Sequence, residues 1–225
     1  MKVGVITYEF RHLKTEQVVL QYIENPGIES IHIFAIPFVA RQHRDVIIRH
    51  RPDMESGVHT SDLQAFDKVS YERWDGKAMI GDRCDLFVIC GAGLLDISFA
   101  GGKPIFNLHP GIIPLSRGLD SFKWAILSGD PVGNTLHLID QEVDMGKIVL
   151  IKKTPVLPSD DLTRLAIRHY EAEIAILGNL TKYIHNEERI SYATKQPNKR
   201  MKQEDEQKVV QLFGSWKSKF ASVIT

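Results

Sequence analysis

Two polar side chains with complementary chemistry stand two residues apart in the run FNLHPGIIPLSRG. Asn107 carries an amide that can donate a hydrogen bond to negative charge developing on an oxygen. His109 carries an imidazole that can gain or lose a proton near neutral pH. Because residues i and i+2 of a strand point to the same face, a strand over Pro104–Leu108 would project both side chains together. The pair is therefore either a catalytic site or a polar strand end that water solvates.

Two other patterns offer alternative chemistry. His109, His137 and Asp144 could together bind zinc, but their spacing differs from the helix-borne HExxH pair. The turn Gly91–Gly93 follows a predicted strand, yet Asp96 takes the position of the third glycine in a dinucleotide-binding GxGxxG pattern. We therefore interpret the glycines as a tight turn, whose exposed main-chain groups suit a flat heterocycle that forms hydrogen bonds.

The elements that must position these residues alternate between short apolar runs and longer amphipathic stretches, which predicts an α/β fold. Ligands of such sheets bind at the carboxyl edge, where Asn107 and His109 are predicted to lie. Strands are predicted at Val3–Ile6, Ser30–Ala35, Leu86–Cys90, Pro104–Leu108, Asn134–Ile139 and Lys147–Ile151. Helices are predicted at Thr15–Ile23 with Thr15 as N-cap, at Gln42–His50, at Leu119–Leu127 and at Ser159–Ile184 with Ser159 as N-cap. The stretch Arg51–Lys77 is expected to hold loop and short helix.

Composition limits the classes of function. Lys and Arg number 28, as do Asp and Glu, and this balance argues against a large nucleic-acid-binding surface. Cys84 and Cys90 cannot build a disulfide framework and are expected to be small buried side chains. No apolar run approaches the ~20 residues that cross a bilayer. The chain opens on a predicted strand, so no signal peptide and a cytoplasmic location are expected.

Three separately spaced runs, NLHPGIIPLSRG, WAILSGD and GNTLHLIDQEVDMGKI, resemble the signature of the folate-dependent formyltransferase superfamily. Its members include glycinamide ribonucleotide formyltransferase, methionyl-tRNA formyltransferase and the nucleotide-sugar N-formyltransferases. The resemblance implies a Rossmann-like, mixed but mostly parallel sheet flanked by helices. It also implies 10-formyltetrahydrofolate as the formyl donor and a primary amine as the acceptor. The catalytic Asn, His and Asp of the family then fall on Asn107, His109 and Asp144, with no metal.

The same resemblance implies where the donor binds and how the chain is divided. The pterin would lie against the turn after the Leu86–Cys90 strand and against the loop before Asp144, and His137 would position a water. Residues 1–188 would form the catalytic domain, and residues 189–225 a short extension that could serve a homodimer. Donor contacts are implied at Ile89, Gly91, Gly93, Leu94, Ile139, Asp140, Gln141, Glu142, Val143 and Asp144. The extension is expected to hold a turn at Pro197-Asn198 and a short helix with Val209, Val210, Leu212, Phe213 and Trp216 on its apolar side.

The choice of acceptor depends on what the sequence lacks. The run ITYEFRHLKTEQ after the first strand has no glycine-rich phosphate loop like that of the glycinamide ribonucleotide enzymes. The additional C-terminal domain of the methionyl-tRNA enzymes is not expected either. We therefore expect a nucleotide-linked amino sugar, as in O-antigen biosynthesis. Acceptor contacts are predicted at Tyr8, Arg11, His12, Lys14 and Asp120, each of which could instead be an ordinary solvated residue.

Three other functions remain open from the sequence. Water could replace the amine, which would make the protein a 10-formyltetrahydrofolate hydrolase. The acceptor could be another small amine. A folate-binding regulatory protein would need the donor site but would have no physical use for Asn107, His109 and Asp144.

Overall fold

The computed structural model describes residues 1–38, 45–93, 95–139, 147–186 and 196–221. Within these residues seven strands form one sheet in the order β3-β2-β1-β4-β5-β6-β7. The strands are β1 (Lys2–Tyr8), β2 (Ser30–Ile36), β3 (Val69–Arg73), β4 (Leu86–Ile89), β5 (Ile105–His109), β6 (Gly133–Leu138) and β7 (Ile148–Lys153). The helices are α1 (Leu13–Ile23), α2 (Ser121–Leu127), α3 (Leu162–Gly178) and α4 (Gln203–Phe220), and 3-10 turns lie at Met54–Ser56, Thr60–Ala65, Gly81–Arg83, Ile97–Ala100 and Leu180–Lys182.

The sheet is mixed but mostly parallel, as predicted. Strands β1 to β5 are parallel to their neighbours, whereas β6 is antiparallel to both β5 and β7. The chain runs outward from β1 to β3 and then returns to place β4 beside β1 on its other side. This reversal of strand order leaves a crevice at the carboxyl ends of β1 and β4, which is where open α/β sheets bind ligands.

Side-chain alternation along the strands builds a core on each face of the sheet. On one face Val5, Val88 and Leu108 pack against α1 and α3 in the largest apolar cluster. On the other face Phe87 and Ile105 pack in a second cluster with residues of the 3-10 turns. Helices α2, α3 and α4 share a third cluster beside the sheet.

The starts of two helices differ from the prediction. Helix α1 begins at Leu13, and Thr15 lies inside its first turn, where its Oγ1 is 2.7 Å from His12 Nδ1. Thr15 is therefore not the N-cap. Its side chain is buried, and its hydroxyl also contacts Thr7 Oγ1 at 2.5 Å. Helix α3 is capped by Asp161, whose side chain accepts a hydrogen bond from Arg164 N at 2.7 Å, and the helix ends at Gly178. The N-cap positions are therefore His12 for α1 and Asp161 for α3. The predicted N-caps, Thr15 and Ser159, lie three and two residues away from them.

The predicted helix over Gln42–His50 is wrong for the residues that the structure describes, since residues 45–50 are not helical. Here the N–H groups of Ile47 and Ile48 donate to the Glu206 carboxylate, at 2.6 and 3.4 Å, and Ile48 is buried beside α2. The strand β3 was missed within the stretch expected to be loop. It is a five-residue edge strand with the mostly polar sequence VSYER, so its apolar signal is weak.

The C-terminal helix α4 is longer than predicted and packs against α2. Val209, Phe213 and Trp216 are buried as expected, but Val210 and Leu212 are 48% and 44% exposed. The two exposed residues follow from the helical period, which turns them away from the buried stripe. The division of the chain at residue 188 and the homodimer stay predictions.

Two expectations from composition can be compared with the structure. Cys84 and Cys90 are both free and buried, as predicted. Among the helices that the structure describes, none combines the length and apolar character needed to span a bilayer.

Candidate active site

The carboxyl half of β5 places an amide beside a buried imidazole. Asn107 pairs with His137 across the antiparallel β5–β6 ladder, and Asn107 Nδ2 lies 3.2 Å from His137 Nε2. An amide nitrogen only donates, so Nε2 accepts and the neutral His137 ring carries its proton on Nδ1. His137 is 1% exposed, so this hydrogen bond fixes the Asn107 amide against a rigid partner.

His109 is held by the loop that follows β5. Its Nε2 lies 2.8 Å from Ser116 O and 3.0 Å from Ser121 Oγ. A carbonyl oxygen only accepts, so His109 Nε2 carries a proton, and Ser121 gives its own hydroxyl proton to Gly118 O at 2.8 Å. In the neutral ring Nδ1 is therefore the nitrogen without a proton.

A tight turn brings this loop back onto the histidine. Thr135 Oγ1 donates to Gly111 O at 2.7 Å and accepts from Ile113 N at 3.1 Å, which ties the turn to β6. A Cβ on Gly111 would lie 2.4 Å from Ser116 O and 2.6 Å from His109 Nε2. Sequence analysis did not identify Thr135, Ser116 or Ser121. The Pro-Gly pair after His109 was the available signal, because it indicates a turn that returns toward the preceding strand.

The carboxyl ends of β1 and β4 meet around Gly91. A Cβ there would lie 2.8 Å from Tyr8 Cδ2 and 2.9 Å from His12 Cε1, so only glycine lets the two rings rest on this turn. Burial, together with the nearby cations Lys14 and Arg51, lowers the pKa of His12 to about 4. His12 is therefore neutral at pH 7. Tyr8 and His12 are the two predicted acceptor contacts that the structure places at this edge of the sheet.

The other predicted acceptor contacts point elsewhere. Lys14 Nζ is buried 2.7 Å from Glu173 Oε1. Asp120 is also turned inward, where its carboxylate accepts from Met201 N at 2.8 Å and lies 3.3 Å from Lys123 Nζ. These internal ion pairs argue against acceptor contacts by Lys14 and Asp120. Arg11 is exposed, with its Nη1 3.4 Å from Gly57 O.

The carboxylate that holds Lys14 is charged although it is fully buried. Burial alone would raise the pKa of Glu173, but Arg51 and Lys14 outweigh it and lower the pKa to about 2. Arg51 Nη2 lies 2.8 Å from Glu173 Oε2, opposite Lys14. The ion cluster fixes the start of α1, and with it His12, against α3.

A cavity of about 570 Å³ opens on the same face of the sheet as Asn107 and His137. Ile105 lies two residues before Asn107, and Ile139 two residues after His137, so alternation puts all four on one face. Ile89 pairs with Asn107 from β4 and packs in the same cluster as Ile139. The cavity lies within the usual range of small-molecule sites. Its lining comprises Ile97, Ser98, Gly102, Lys103, Pro104, Ile105, Leu138, Ile139 and Lys147.

Several predicted site residues lie outside the described residues: Leu94, Asp140, Gln141, Glu142, Val143 and Asp144. Gly93 is described, and a Cβ there would have no atom within 4 Å. Within the described ranges no three His, Cys, Asp or Glu side chains come together as metal ligands would. The zinc hypothesis needs Asp144, which lies outside the described residues, so this finding does not test it.

Comparison with known proteins agrees with this geometry. Residues 97–181 match the formyl transferase family model. Phosphoribosylglycinamide formyltransferase of Haemophilus influenzae is 38% identical over 86 residues, which are 38% of this chain and 40% of that protein. Methionyl-tRNA formyltransferase of Chlorobium chlorochromatii is 38% identical over 64 residues, 28% of this chain and 20% of that protein. The matched part of the chain is similar to the formyltransferase superfamily. The family prediction is thus confirmed, and the matched segments span less than half of these curated relatives.

Solved structures extend the likeness in fold to most of the length of the chain. A 4-N formyltransferase from Francisella tularensis superposes with a TM-score of 0.62 at 16% identity, over 88% of this chain and 75% of that one. PseJ from Anoxybacillus kamchatkensis, solved with UDP-4,6-dideoxy-4-formamido-L-AltNAc and tetrahydrofolate, gives 0.53 at 18% identity, over 96% and 94%. At such identities the likeness shows a common fold, which confirms the predicted fold class.

Proposed function

We propose that this protein transfers a formyl group from 10-formyltetrahydrofolate to a primary amine. The observation that carries the proposal is Asn107, which shares strand β5 and one face with His109 and donates to His137 of β6. Ile105, two residues before Asn107 on the same face, lines a ligand-sized cavity. The formyl transferase family match supports the same reaction. A protein that only bound folate would gain nothing from burying two histidines beside one amide, since buried polar groups are costly.

The side chains can divide the reaction between them. The amine lone pair attacks the formyl carbon, and the carbonyl electrons move onto the formyl oxygen. Asn107 and the protonated His109 donate hydrogen bonds to that oxyanion, and one such donor is typically worth ~3 kcal/mol. As the carbonyl re-forms, the bond from carbon to the folate nitrogen breaks. The attacking nitrogen loses a proton and the leaving nitrogen gains one, so charge balances.

Asp144 is proposed as the group that relays this proton and favours the cationic His109. Residues 140–146, which contain it, join Ile139 to Lys147, and both of these residues line the cavity. A carboxylate near an imidazolium stabilises the positive charge of the ring. The role of Asp144 follows from the family resemblance together with this connectivity.

The donor is proposed to place its pterin in the cavity beside Ile139. The apolar walls suit a flat ring, and main-chain groups near Ile89, Gly91 and Gly93 would supply hydrogen bonds. Leu94 and Asp140 through Asp144 complete the proposed contacts. This position puts the formyl group of the donor next to Asn107, which lies two residues beyond Ile105 on the same face.

A nucleotide-linked amino sugar is our proposal for the acceptor. The protein from Francisella tularensis is a 4-N formyltransferase, and PseJ was solved with a UDP-linked formamido sugar. In this chain Tyr8 and His12 line the carboxyl end of β1 without a glycine-rich phosphate loop, and Arg11 lies exposed beside them. An aromatic ring and a neutral imidazole suit a sugar, and the exposed guanidinium suits a diphosphate.

The test is a screen of nucleotide-linked amino sugars with 10-formyltetrahydrofolate, read by mass spectrometry as the gain of one formyl group. Asn107→Ala should lower kcat about a hundredfold or more, because it removes an oxyanion donor. Donor binding by that variant should stay within a few fold of the wild type. Asn186→Ala is the matched control, since its amide contacts Val149 O at 3.4 Å away from the site. Rapid formate release without any amine would show a hydrolase instead, and unchanged turnover in Asn107→Ala would remove Asn107 from the mechanism.

A further inference from the structure

The segment 196–201, which precedes α4, lies across the loop that holds His109. Asn198 N donates to Arg117 O at 2.9 Å, and Asn198 O accepts from Leu119 N at 2.9 Å. The Asn198 side-chain amide also lies 3.4 Å from Ser116 Oγ. Two short main-chain bonds and a longer side-chain bond thus join Asn198 to three residues on either side of Gly118.

Flanking residues strengthen this attachment. Met201 N donates to Asp120 Oδ2 at 2.8 Å, and Trp124 Nε1 donates to Lys199 O at 2.8 Å. Asp120 and Trp124 stand at the N-cap and in the first turn of α2. The segment therefore fixes both the loop and the helix that the loop leads into.

Gly118 marks the place where the two segments touch. Its φ is +80°, which favours glycine, and a Cβ there would lie 2.5 Å from Asn198 O and 2.7 Å from Asn198 N. Backbone thus meets backbone with no space for a side chain. Any side chain at residue 118 must push the C-terminal segment away from the loop.

The same loop contacts the His109 ring, so its position determines the orientation of the histidine. Ser116 O accepts the Nε2 proton of His109, while Ser116 Oγ donates to Ser121 O at 2.9 Å. Ser121 Oγ is the second oxygen beside Nε2, at 3.0 Å. The two oxygens beside Nε2 therefore belong to Ser116, which Asn198 contacts, and to Ser121, the first residue of α2.

We propose that Asn198 is a positioning residue for His109: through the loop 116–121 it keeps the imidazole oriented and its proton on Nε2. The expected effect on catalysis rests on the proposed function, whereas the expected tautomer of His109 does not. The formyl transferase match ends at residue 181, so this contact comes from a part of the chain outside the matched domain. A C-terminal segment expected to serve dimerisation thus supports the active-site loop of its own chain.

The test compares two alanine substitutions at glycines of positive φ. Gly118→Ala adds a Cβ against Asn198, whereas Gly129→Ala adds one at φ +71° with its nearest atom, Lys219 Nζ, 4.0 Å away. Both variants carry a similar backbone strain, and only the first displaces the C-terminal segment. Long-range ¹H–¹⁵N spectra of the His109 ring at alkaline pH report the tautomer without any substrate.

We expect an Nε2–H tautomer in the wild type and in Gly129→Ala, and a mixture of both tautomers in Gly118→Ala. With an amine acceptor, Gly118→Ala should lower kcat about tenfold or more and leave the donor KM nearly unchanged. An Nδ1–H wild type, or identical His109 spectra for the two variants, would overturn the proposal. A tautomer shift in a protein without formyl transfer would uphold the positioning role and reject the proposed function instead.

Asn198→Ala provides a second, milder variant if Gly118→Ala does not fold. It removes the amide bond to Ser116 Oγ and keeps the main-chain bonds, so it should shift the tautomer in the same direction by less. Asn186→Ala is its control, because it removes an amide contact of the same 3.4 Å length elsewhere. An Asn198→Ala spectrum that matches the Asn186→Ala spectrum would contradict a role for this side chain.

Discussion

Two histidines on the same face of the sheet are held in opposite tautomers by their neighbours. His137 accepts at Nε2 from an amide, whereas His109 donates at Nε2 to a carbonyl. The difference follows from what each partner can do, since an amide nitrogen only donates and a carbonyl oxygen only accepts. His137 therefore orients the Asn107 amide, while the loop after β5 orients the His109 ring. The two rings differ because each has a different hydrogen-bond partner at Nε2.

Gly111→Ala should displace the His109 ring or its loop without removing any polar group. The new Cβ would lie 2.4 Å from Ser116 O and 2.6 Å from His109 Nε2, so the loop or the ring must move. We expect kcat to fall about a hundredfold and the free energy of unfolding to fall by about 1–3 kcal/mol. Steady-state kinetics and chemical denaturation measure the two effects. Gly214→Ala is the control, because nothing lies within 4 Å of its Cβ on α4; equal activities of the two variants would contradict the contact.

Helix α4 is joined to α2 by a buried ion pair as well as by apolar packing. Lys123 Nζ lies 2.6 Å from Glu206 Oε1, with the two side chains 2% and 0% exposed. The other carboxylate oxygen accepts from the main-chain N–H of Ile47. The buried Glu206 carboxylate in the first turn of α4 thus binds Lys123 of α2 and the segment 45–50. These groups make the C-terminal helix part of the folded unit that contains the site.

At the scale of these elements, Glu206→Gln should destabilise the protein by roughly 3 kcal/mol, because removing one charge of a buried pair leaves the other uncompensated. Urea denaturation followed by circular dichroism measures the change. Asp205→Asn is the matched control one residue earlier, where the carboxylate pairs with the exposed Lys208. Its effect should be small, since exposed ion pairs contribute little. A similar loss in both variants would show that the first turn, and not the buried pair, provides the stabilisation.

Across the whole molecule, three buried histidines make stability depend on pH in the same direction. Burial is the main cause in each case, and it lowers the pKa of His12 and His169 to about 4 and that of His50 to about 3. An unfolded chain would bind protons on these rings near pH 6.5, whereas the folded chain does not. Lowering the pH from about 6.5 to the lowered pKa values of these histidines therefore favours the unfolded state. Glu173, with its lowered pKa, adds a further loss at lower pH.

The free energy of unfolding should accordingly fall as pH decreases from about 6.5 toward 4, by up to about 1.4 kcal/mol per pH unit for each histidine. Denaturation curves at several pH values measure this slope. His169→Asn can keep a hydrogen bond to Thr154 Oγ1, which lies 2.8 Å from His169 Nδ1. The variant should take up about one proton fewer on unfolding, so its stability should depend less steeply on pH. His185→Asn, at an exposed histidine, should leave the slope as it is. A slope that His169→Asn does not change would show that the ring is protonated in the folded state.

The sequence by itself determined the apolar strands, most of the helices, the family and the pair Asn107 and His109. These features are local, because strand alternation, helical period and a dense motif are all written in consecutive residues. The edge strand β3 and the segment 45–50 were not predictable in this way. Their conformations depend on pairing with β2 and on the Glu206 carboxylate, which lies about 160 residues away in sequence from Ile47.

Only the tertiary structure decided what the polar residues do. Lys14 and Asp120 resemble acceptor contacts in sequence, but partners more than 80 residues distant turn their charges inward. The contacts of Ser116, Ser121 and Asn198 with one another and with His109 were not predicted from the sequence, because hydrogen-bond partners depend on distance in space and not on spacing along the chain. Local order follows from neighbouring residues, whereas the tautomer of a buried histidine follows from whichever segment the fold brings against it.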